Sequence, residues 1–167
     1  MALLEILTYP DPRLRIKAKP ITQIDDELKR IVHDMYETMY ASEGVGLAAT
    51  QVNIHQRLFT MDLSETHDQA SCILNPEIIY REGSQYEAEA CLSVGGGAYE
   101  KVERAMKVRL IGMDLQGKKI EMEVEGLMAA CFQHEIDHLD GILFIDHLSR
   151  LKNERIRKKI EKAKRAG

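Results

Sequence analysis

The sequence predicts an α+β fold in which mostly antiparallel sheets pack around one central helix, with a further helix at the C-terminus. Three observations support this prediction. Apolar residues recur at helical spacing between residues 28 and 39, several short runs with strand character follow, and a second helical run occupies residues 126–139. Because strands mostly precede the central helix instead of alternating with helices, antiparallel pairing is expected.

The first helix is expected to begin at Asp25 or Asp26, because either carboxylate can cap it, and to run to about Ser42. Its apolar face follows the three- and four-residue spacing of a stripe that packs against the core. That face consists of Leu28, Ile31, Val32, Met35 and Met39. A glycine-rich stretch at residues 44–46 then breaks the helix.

Residues 57–63 and 72–80 are predicted to form strands, since both contain apolar, β-branched and aromatic residues. Residues 108–113 and 120–124 alternate around Gln116 and Gly117, which predicts a hairpin. Gly126 is expected to begin the central helix, and the Asp-Gly pair at 140–141 to end it. Ser149 can cap a last helix, so residues 149–167 are predicted to be a C-terminal helix.

The composition is that of an ordinary globular protein. The chain has 167 residues, of which 44% are hydrophobic and 30% charged, so one domain spanning residues 1–167 is expected. No apolar run approaches the length of a membrane span and no secretory signal is visible, so we expect no membrane partner and no export. Three cysteines, an odd number, favour reduced thiols in the cytoplasm. The mature form of an organellar protein stays open.

Charge is unevenly distributed along the chain. Residues 150–167 contain nine Lys or Arg against Glu154 and Glu161, a local charge of +7, whereas the net charge of the whole chain is −4. The remaining residues therefore sum to a charge of −11. A basic tail on an acidic body favours a polyanionic partner, although a solvated terminal helix has the same composition.

The central helix carries the most informative motif, H-E-x-x-H, at His134, Glu135 and His138. On a helix, residues four apart lie on one face, so both imidazoles can reach one metal ion. Glu135 lies beside them and can act as a general base. The pattern is typical of metal hydrolases, and a polar helix face with two ordinary histidines is the simpler alternative.

A catalytic metal site of this kind usually has a third protein ligand. His147 lies nine residues after the motif, in the direction from which many proteases take that ligand. Cys91 lies upstream, between a stretch with strand character and the glycine-rich loop at residues 95–97, and its thiolate is a second candidate. Because a free cysteine is often only a small buried hydrophobe, the residues alone leave the third ligand open.

Three separated motifs resemble those of the peptide deformylase family, in the family's order and with nearly its spacing. They are residues 44–51 (GVGLAATQ), residues 89–93 (EACLS) and residues 133–139 (QHEIDHL). Residues 9–11 and 139–144 are similar as well, so the resemblance covers almost the whole chain. Three concordant motifs are far more specific than any one of them.

The resemblance implies a metal-dependent hydrolase that removes the N-formyl group from the initiator methionine of nascent polypeptides and releases formate. One divalent metal ion is implied, Fe²⁺ in the cell, with Zn²⁺ or Ni²⁺ able to occupy the same site. The implied ligands of that ion are Cys91, His134 and His138. The donor set alone would suit zinc at least as well as iron.

The resemblance also assigns catalytic roles. Glu135 would accept a proton from the attacking water and deliver it to the departing amine. The Gln51 side-chain amide and the Leu92 main-chain N–H would stabilise the negative charge that develops on the formyl oxygen. Without the resemblance, a loop-capping amide would be the simplest role for Gln51.

A methionine pocket is implied as well, because a flexible thioether requires an apolar, adaptable slot. Its expected walls are Val45, Gly46, Leu92, Ala130, Cys131 and His134. The peptide is expected to pair its main chain with an exposed strand at residues 44–46 and with the loop at residues 95–97. Glu89 is expected to support the metal site, paired with Arg104, for which a surface ion pair is the simpler alternative.

The chain departs from the family pattern around the loop that follows Cys91. Ala90 and Gly95 replace a glycine and a proline that are usual in the family, and residues 96–99 contain no arginine that could contact the peptide. The loop is also about one residue longer. We expect a more mobile loop and weakened or altered recognition beyond methionine, with the metal chemistry intact.

Two other functions stay open on the sequence. A metallopeptidase would cut peptide bonds and take its third ligand downstream, and a non-catalytic metal-binding module would hold formylated chains or RNA. Retention of Glu135 and Gln51 argues against the module, since binding alone requires neither a base nor an oxyanion donor. The resemblance implies ribosome contact through the basic C-terminal helix, and we expect a monomer in the bacterial cytoplasm.

Overall fold

The computed structural model describes residues 2–95 and 97–166. In that part of the chain, turns and loops connect the helices and strands. Three α-helices occur there, namely α1 (Asp26–Ala41), α2 (Gly126–Leu139) and α3 (Arg150–Ala166). Seven strands occur in the same residues, namely β1 (Gly46–Ala48), β2 (Leu58–Met61), β3 (Ser71–Glu82), β4 (Gln85–Glu89), β5 (Glu100–Arg104), β6 (Lys107–Met113) and β7 (Lys119–Glu125).

The first helix forms as its capping signal predicts. The Asp25 carboxylate accepts a hydrogen bond from the Leu28 N–H at 2.9 Å, which satisfies one of the free donors of the first turn. The apolar stripe then faces the core, with Val32, Met35 and Met39 fully buried. The helix ends at Ala41, one residue before the expected Ser42.

Five strands form an antiparallel sheet in the order β1-β2-β3-β6-β7, and β4 pairs with β5 in a separate antiparallel sheet. The predicted hairpin is β6–β7, in which Gly117 takes a left-handed φ of 83°. The Asp114 side chain accepts from the Gln116 and Lys118 N–H groups at 3.0 and 2.9 Å and fixes that turn. β1 and β4 each have a neighbour on one side only.

The sequence predicted only one of the two strands of the second sheet. A stretch with strand character before Cys91 corresponds to β4, but β5 was not predicted. Its sequence is mostly charged, and Val102 is its one buried apolar residue. Alternation therefore gives too little contrast to identify it as a strand.

α1 and α2 pack on opposite faces of the large sheet, since α1 clusters with Leu58 and Leu74 and α2 with Phe59 and Ile73, the alternate positions of β2 and β3. Phe132 of α2 packs edge-to-face on Phe59 of β2, with ring centroids 5.4 Å apart. A further apolar cluster holds α3 in place through Ile156 and Ile160, which pack with Leu143, Phe144, Ile145, Val94 and Val102. The Ser149 hydroxyl accepts from the Lys152 N–H at 3.3 Å, as its predicted capping role requires.

The predicted α+β class is therefore confirmed, with antiparallel sheets around a buried α2. None of the helices in residues 2–95 and 97–166 is long and apolar enough to cross a membrane. That residues 1–167 fold as one domain stays a prediction.

Candidate metal centre and active site

The central helix buries its polar motif instead of exposing it. Gly126 begins α2 with a left-handed φ of 64°, and its N–H donates to the Met106 carbonyl at 2.9 Å. His134, Glu135 and His138 then lie on the turns of the helix that pack inside the protein, and all three are buried. A polar, solvated helix face is therefore excluded for these residues.

Three ligand atoms converge beside this helix. Those of Cys91, His134 and His138 all lie within 4.8 Å of one another, and the Cys91 Sγ is 3.2 Å from the His138 Nε2. Metal–ligand distances of about 2.3 Å to sulfur and about 2.1 Å to nitrogen place sulfur and nitrogen roughly 3.5 Å apart around a tetrahedral ion. The spacing of these three donors thus fits one metal ion.

The orientation of His134 is set by a partly buried carboxylate. Its Nδ1 lies 2.8 Å from the Glu89 Oε1, so the imidazole donates there and keeps its Nε2 lone pair for a metal. Glu89 is held in turn by Arg104, whose Nε and Nη2 donate to the two carboxylate oxygens at 2.9 Å each. Although burial alone would raise the pKa of Glu89, the hydrogen bonds from His134 and Arg104 lower it to about 2.

His138 and Cys91 complete the donor set. Burial lowers the pKa of His138, which keeps that imidazole neutral. The Cys91 sulfur accepts from the Ser93 N–H at 3.4 Å and from the Gln51 Nε2 at 3.6 Å, and these contacts hold it beside the two imidazoles. Imidazole nitrogen and cysteine sulfur are donors that suit zinc and iron ions.

Glu135 is placed against the main chain of β1. A methyl group on Gly46 would lie 2.5 Å from the Glu135 Oε2, so glycine at this position lets the carboxylate approach. Burial raises the pKa of Glu135 to about 7, and its Oε1 has no hydrogen-bond partner among the described residues. A buried carboxylate with a free oxygen beside three metal donors can exchange a proton with a reacting group.

A cavity of about 410 Å³ opens beside the three donors and Glu135. All six residues predicted to wall the methionine pocket line it, namely Val45, Gly46, Leu92, Ala130, Cys131 and His134. Leu127, which was not predicted, adds a further apolar side chain. Burial raises the pKa of Cys131 to about 12, so its thiol stays protonated and apolar in character.

Gln51 lies at the back of the same site. Its Oε1 accepts from the Ala48 N–H at 2.9 Å, and its Nε2 donates to the Ser93 hydroxyl at 3.0 Å as well as to the Cys91 sulfur. The Gln51 side chain thus caps a short turn, as the simpler alternative held, and also directs its amide toward the metal donors. Ser93, which completes this arrangement, was not singled out in the sequence.

His147, the downstream candidate ligand, lies elsewhere. Its Nε2 is 2.8 Å from the Asp137 Oδ2, to which Arg104 also donates from Nη1 at 2.6 Å. The Arg104 side chain is only 4% exposed, so the surface ion pair considered for Glu89 and Arg104 is wrong. Glu89, Asp137 and the buried Arg104 form a partly buried network that the sequence did not reveal.

Known proteins are similar to this chain in sequence and in fold. The family model described as Polypeptide deformylase matches residues 3–154. The peptide deformylase of Alkalilimnicola ehrlichii is 55% identical over 168 residues, which cover 100% of this chain and 94% of that protein. The chain belongs to the peptide deformylase family.

Solved structures of the family are similar throughout. A crystal structure of a peptide deformylase from Legionella pneumophila has a TM-score of 0.92 and 45% identity, covering 98% of this chain and 96% of the other. A structure of the Ehrlichia chaffeensis peptide deformylase in complex with actinonin has a TM-score of 0.93 and 34% identity, covering 99% of both chains.

Membership in the peptide deformylase family confirms the predicted family and the predicted kind of enzyme, a metallohydrolase that removes the N-formyl group from nascent polypeptides. It favours that function over the metallopeptidase and the non-catalytic module. The thiolate and the two imidazoles fit a single metal ion, as expected.

Replacing Glu89 by Gln should weaken metal binding, because the amide keeps the shape but loses the charge that orients His134. Such supporting residues typically contribute a factor of about 10–100 in metal affinity. The measurement is the dissociation constant for Zn²⁺ by competition with a chromophoric chelator. Glu87→Gln, at an exposed position of the same strand, is the matched control. Equal affinities for both variants would contradict the role assigned to Glu89.

Proposed function

We propose that this chain deformylates nascent polypeptides at one metal ion held by Cys91, His134 and His138, with ferrous iron as the ion used in the cell. The observation that carries the proposal is the convergence of these donors beside a buried carboxylate in one cavity. Zn²⁺ or Ni²⁺ would fit the same donors, because imidazole and thiolate bind all three ions. When bound, such an ion lowers the pKa of a coordinated water and polarises the formyl oxygen.

Glu135 is proposed as the general base and acid. Its carboxylate would accept a proton from the attacking water and deliver it to the amine nitrogen as the C–N bond breaks. Support comes from its burial, its free Oε1 and its close approach to Gly46 at the cavity wall. Burial raises the pKa of Glu135 to about 7, and a bound metal cation would favour the ionised base.

Gln51 and Leu92 are proposed to stabilise the developing oxyanion. The Gln51 Nε2 points toward the metal donors, and the main chain of Leu92 lies between Cys91 and Ser93 at the cavity wall. Donors fixed before the reaction lose no free energy to reorganisation, and loss of one such donor typically costs roughly 2.7–4 kcal/mol.

The cavity is proposed to bind the methionine side chain of the substrate. Val45, Ala130 and Cys131 give it walls of modest size, and Leu127 lies at its exposed side. An unbranched thioether can adapt to such walls, whereas a β-branched or charged side chain would lose contacts or remain unsolvated.

Replacement of Glu135 by Gln tests the catalytic proposal. Formate release from formyl-Met-Ala-Ser under anaerobic conditions should fall by about 10²–10⁴-fold, since general acid–base catalysis contributes factors of that size. Metal content should stay at one ion per chain. Glu125→Gln, an exposed residue just before α2, should keep full activity. An active Glu135→Gln enzyme would rule out the proposed proton transfer, and an inactive metal-loaded wild type would rule out the function.

The loop at residues 95–99 is proposed to weaken recognition of the residues that follow methionine. It carries neither the proline nor the arginine that are usual in the family. Gly95 has no neighbouring atom within 4 Å of where a Cβ would lie, and the Tyr99 side chain is exposed. A guanidinium is therefore missing from a position where it would be free to bind a peptide carbonyl.

The double variant Gly95→Pro/Tyr99→Arg tests this proposal in the same chain. For wild type, kcat/KM should rise little from formyl-Met-Ala to formyl-Met-Ala-Ser, whereas the double variant should gain about 10-fold from the added residue, the effect of one charge-assisted hydrogen bond of about 1.5 kcal/mol. Gly95→Ala is the control for loop substitution itself. If wild type already gains as much as the double variant, the loop does not weaken recognition.

The C-terminal helix is proposed to contact the ribosome. Its basic side chains, apart from Lys152, are exposed, while Ile156 and Ile160 hold α3 against the core. A row of exposed cations can neutralise RNA phosphates and release their counterions. Deleting the helix would uncover the apolar cluster, so charge substitution is the cleaner test.

Neutralising Arg155, Lys159 and Lys162 to Gln should reduce ribosome association and flatten its salt dependence, by up to about 0.7–0.9 in slope for each lost phosphate contact. Turnover of formyl-Met-Ala-Ser should not change. The control carries the same charge change on the exposed body residues Lys17, Lys29 and Lys118. Co-sedimentation with ribosomes across a salt series gives the result, and equal losses in both triple variants would contradict a role specific to the helix.

We further propose that the chain acts in the bacterial cytoplasm as a monomer. Bacterial relatives support the first point, since the Alkalilimnicola and Legionella proteins both cover nearly the whole chain. Its proposed partner is the N-formylmethionyl nascent peptide.

A further inference from the structure

We propose that Tyr40 is a positioning residue for peptide binding, because its hydrogen bond to Asp62 fixes the edge of β1 on which the substrate docks. The Tyr40 hydroxyl donates to the Asp62 carboxylate at 2.5 Å. The inference rests on the proposed function of the cavity, whose wall includes Val45 and Gly46. Neither Tyr40 nor Asp62 lines that cavity, so both act through the main chain between them.

The Asp62 carboxylate accepts four hydrogen bonds. Besides Tyr40, the Ser64 N–H, the Ser64 hydroxyl and the Gln69 N–H donate to it at 2.8, 2.6 and 3.0 Å. Hydrogen bonds from the Ser64 and Tyr40 hydroxyls lower the pKa of Asp62, which therefore remains ionised. The residue is only 2% exposed, and its position is consequently fixed from several directions.

The main chain of the same aspartate supports the docking edge. Its N–H donates to the Val45 carbonyl at 2.8 Å, which extends the β1–β2 pairing by one residue beyond Gly46↔Met61. Main-chain groups alternate in direction along an antiparallel strand, so those of Gly46 face away from β2. β1 is the last strand of its sheet, and the open side is where a peptide main chain would pair.

Tyr40 also supports the turn at the end of α1 that precedes residues 43–46. The Glu43 N–H donates to the Tyr40 carbonyl at 3.0 Å and the Gly44 N–H to the Met39 carbonyl at 2.9 Å, which ends α1 in a tight turn. Glu43 takes a left-handed φ of 57°, which a side chain other than glycine adopts only when surrounding contacts hold it. The Tyr40–Asp62 hydrogen bond thus links the last turn of α1, which precedes residues 43–46, to the residue that pairs with Val45. Residues 43–46 lead into the cavity wall.

Tyr36 provides a matched comparison on the same helix, one turn earlier. It lies in the apolar cluster of α1 and is adjacent to Cys72 of β3. β3 is separated from the open edge of β1 by β2. Loss of the Tyr36 hydroxyl should therefore affect packing and stability, but leave the docking edge in place.

The test compares Tyr40→Phe with Tyr36→Phe in the metal-loaded full-length enzyme. For formyl-Met-Ala-Ser, Tyr40→Phe should raise KM by about 10-fold, with kcat within about 2-fold, since a displacement of 1 Å in a binding element can cost roughly 100-fold. Zn²⁺ affinity should equal that of wild type in both variants. Tyr36→Phe should leave KM unchanged, whatever its effect on the melting temperature.

A second measurement does not depend on turnover. Hydrogen exchange of the Gly44 amide should be faster in Tyr40→Phe than in wild type or in Tyr36→Phe, because its acceptor lies in the turn that Tyr40 anchors. Unchanged KM and unchanged exchange in Tyr40→Phe, or equal changes in both variants, would overturn the inference. A wild-type enzyme that released no formate would instead refute the proposed function, and the exchange comparison would still decide whether Tyr40 fixes the edge.

Discussion

Burial of a helix that carries two imidazoles and a carboxylate is the constraint on which the rest of the structure depends. Polar groups removed from water must find partners, or their desolvation destabilises the fold. Gln133 meets this requirement through the main chain of Ala105 and Ala129, and His134 meets it through Glu89. Among the described residues, the buried side-chain atoms left without partners are the Glu135 Oε1 and the His138 Nδ1. The unmet polar requirement is thus concentrated at the metal centre.

The small second sheet carries both partners of one ion pair, Glu89 on β4 and Arg104 on β5. Glu89 and Arg104 lie at opposite ends of the β4–β5 pairing, and their long side chains meet in the ion pair, while Arg104 also reaches Asp137 on α2. A buried ion pair contributes little net stability because desolvation opposes its attraction. Its effect is orientation: the pair fixes which nitrogen of His134 carries a proton and which can bind a metal. That function explains why so charged a strand as β5 is buried at Arg104.

Local signals were enough to predict the elements that depend on local chemistry. The Asp25 cap, the turn at Gly117 and the start of α2 at Gly126 were found because each has a characteristic side chain or backbone conformation. β5 lacks such a signal, since its charged side chains gain their partners only through pairs formed in three dimensions. Gln51 required the family resemblance, because an amide beside a turn has a simpler explanation. The contact between Tyr40 and Asp62, 22 residues apart, follows from no pattern along the chain.

Selectivity for the first residue and tolerance of the following residues both follow from where the cavity lies. It is bounded by the ends of β1 and β4, each of which lacks a neighbour on one side. In the proposed binding mode, side chains such as Val45 and Ala130 would close around the first side chain and select its size and polarity. Beyond it, an extended peptide would find only free main-chain groups, which pair with any sequence. A rigid edge matters more for such binding than any single side chain, because main-chain hydrogen bonds require the correct spacing. The metal donors and the proposed docking edge are therefore held by separate acidic residues, the partly buried Glu89 for the first and the buried Asp62 for the second. This separation allows the chemistry to stay fixed while the loops that contact the peptide vary.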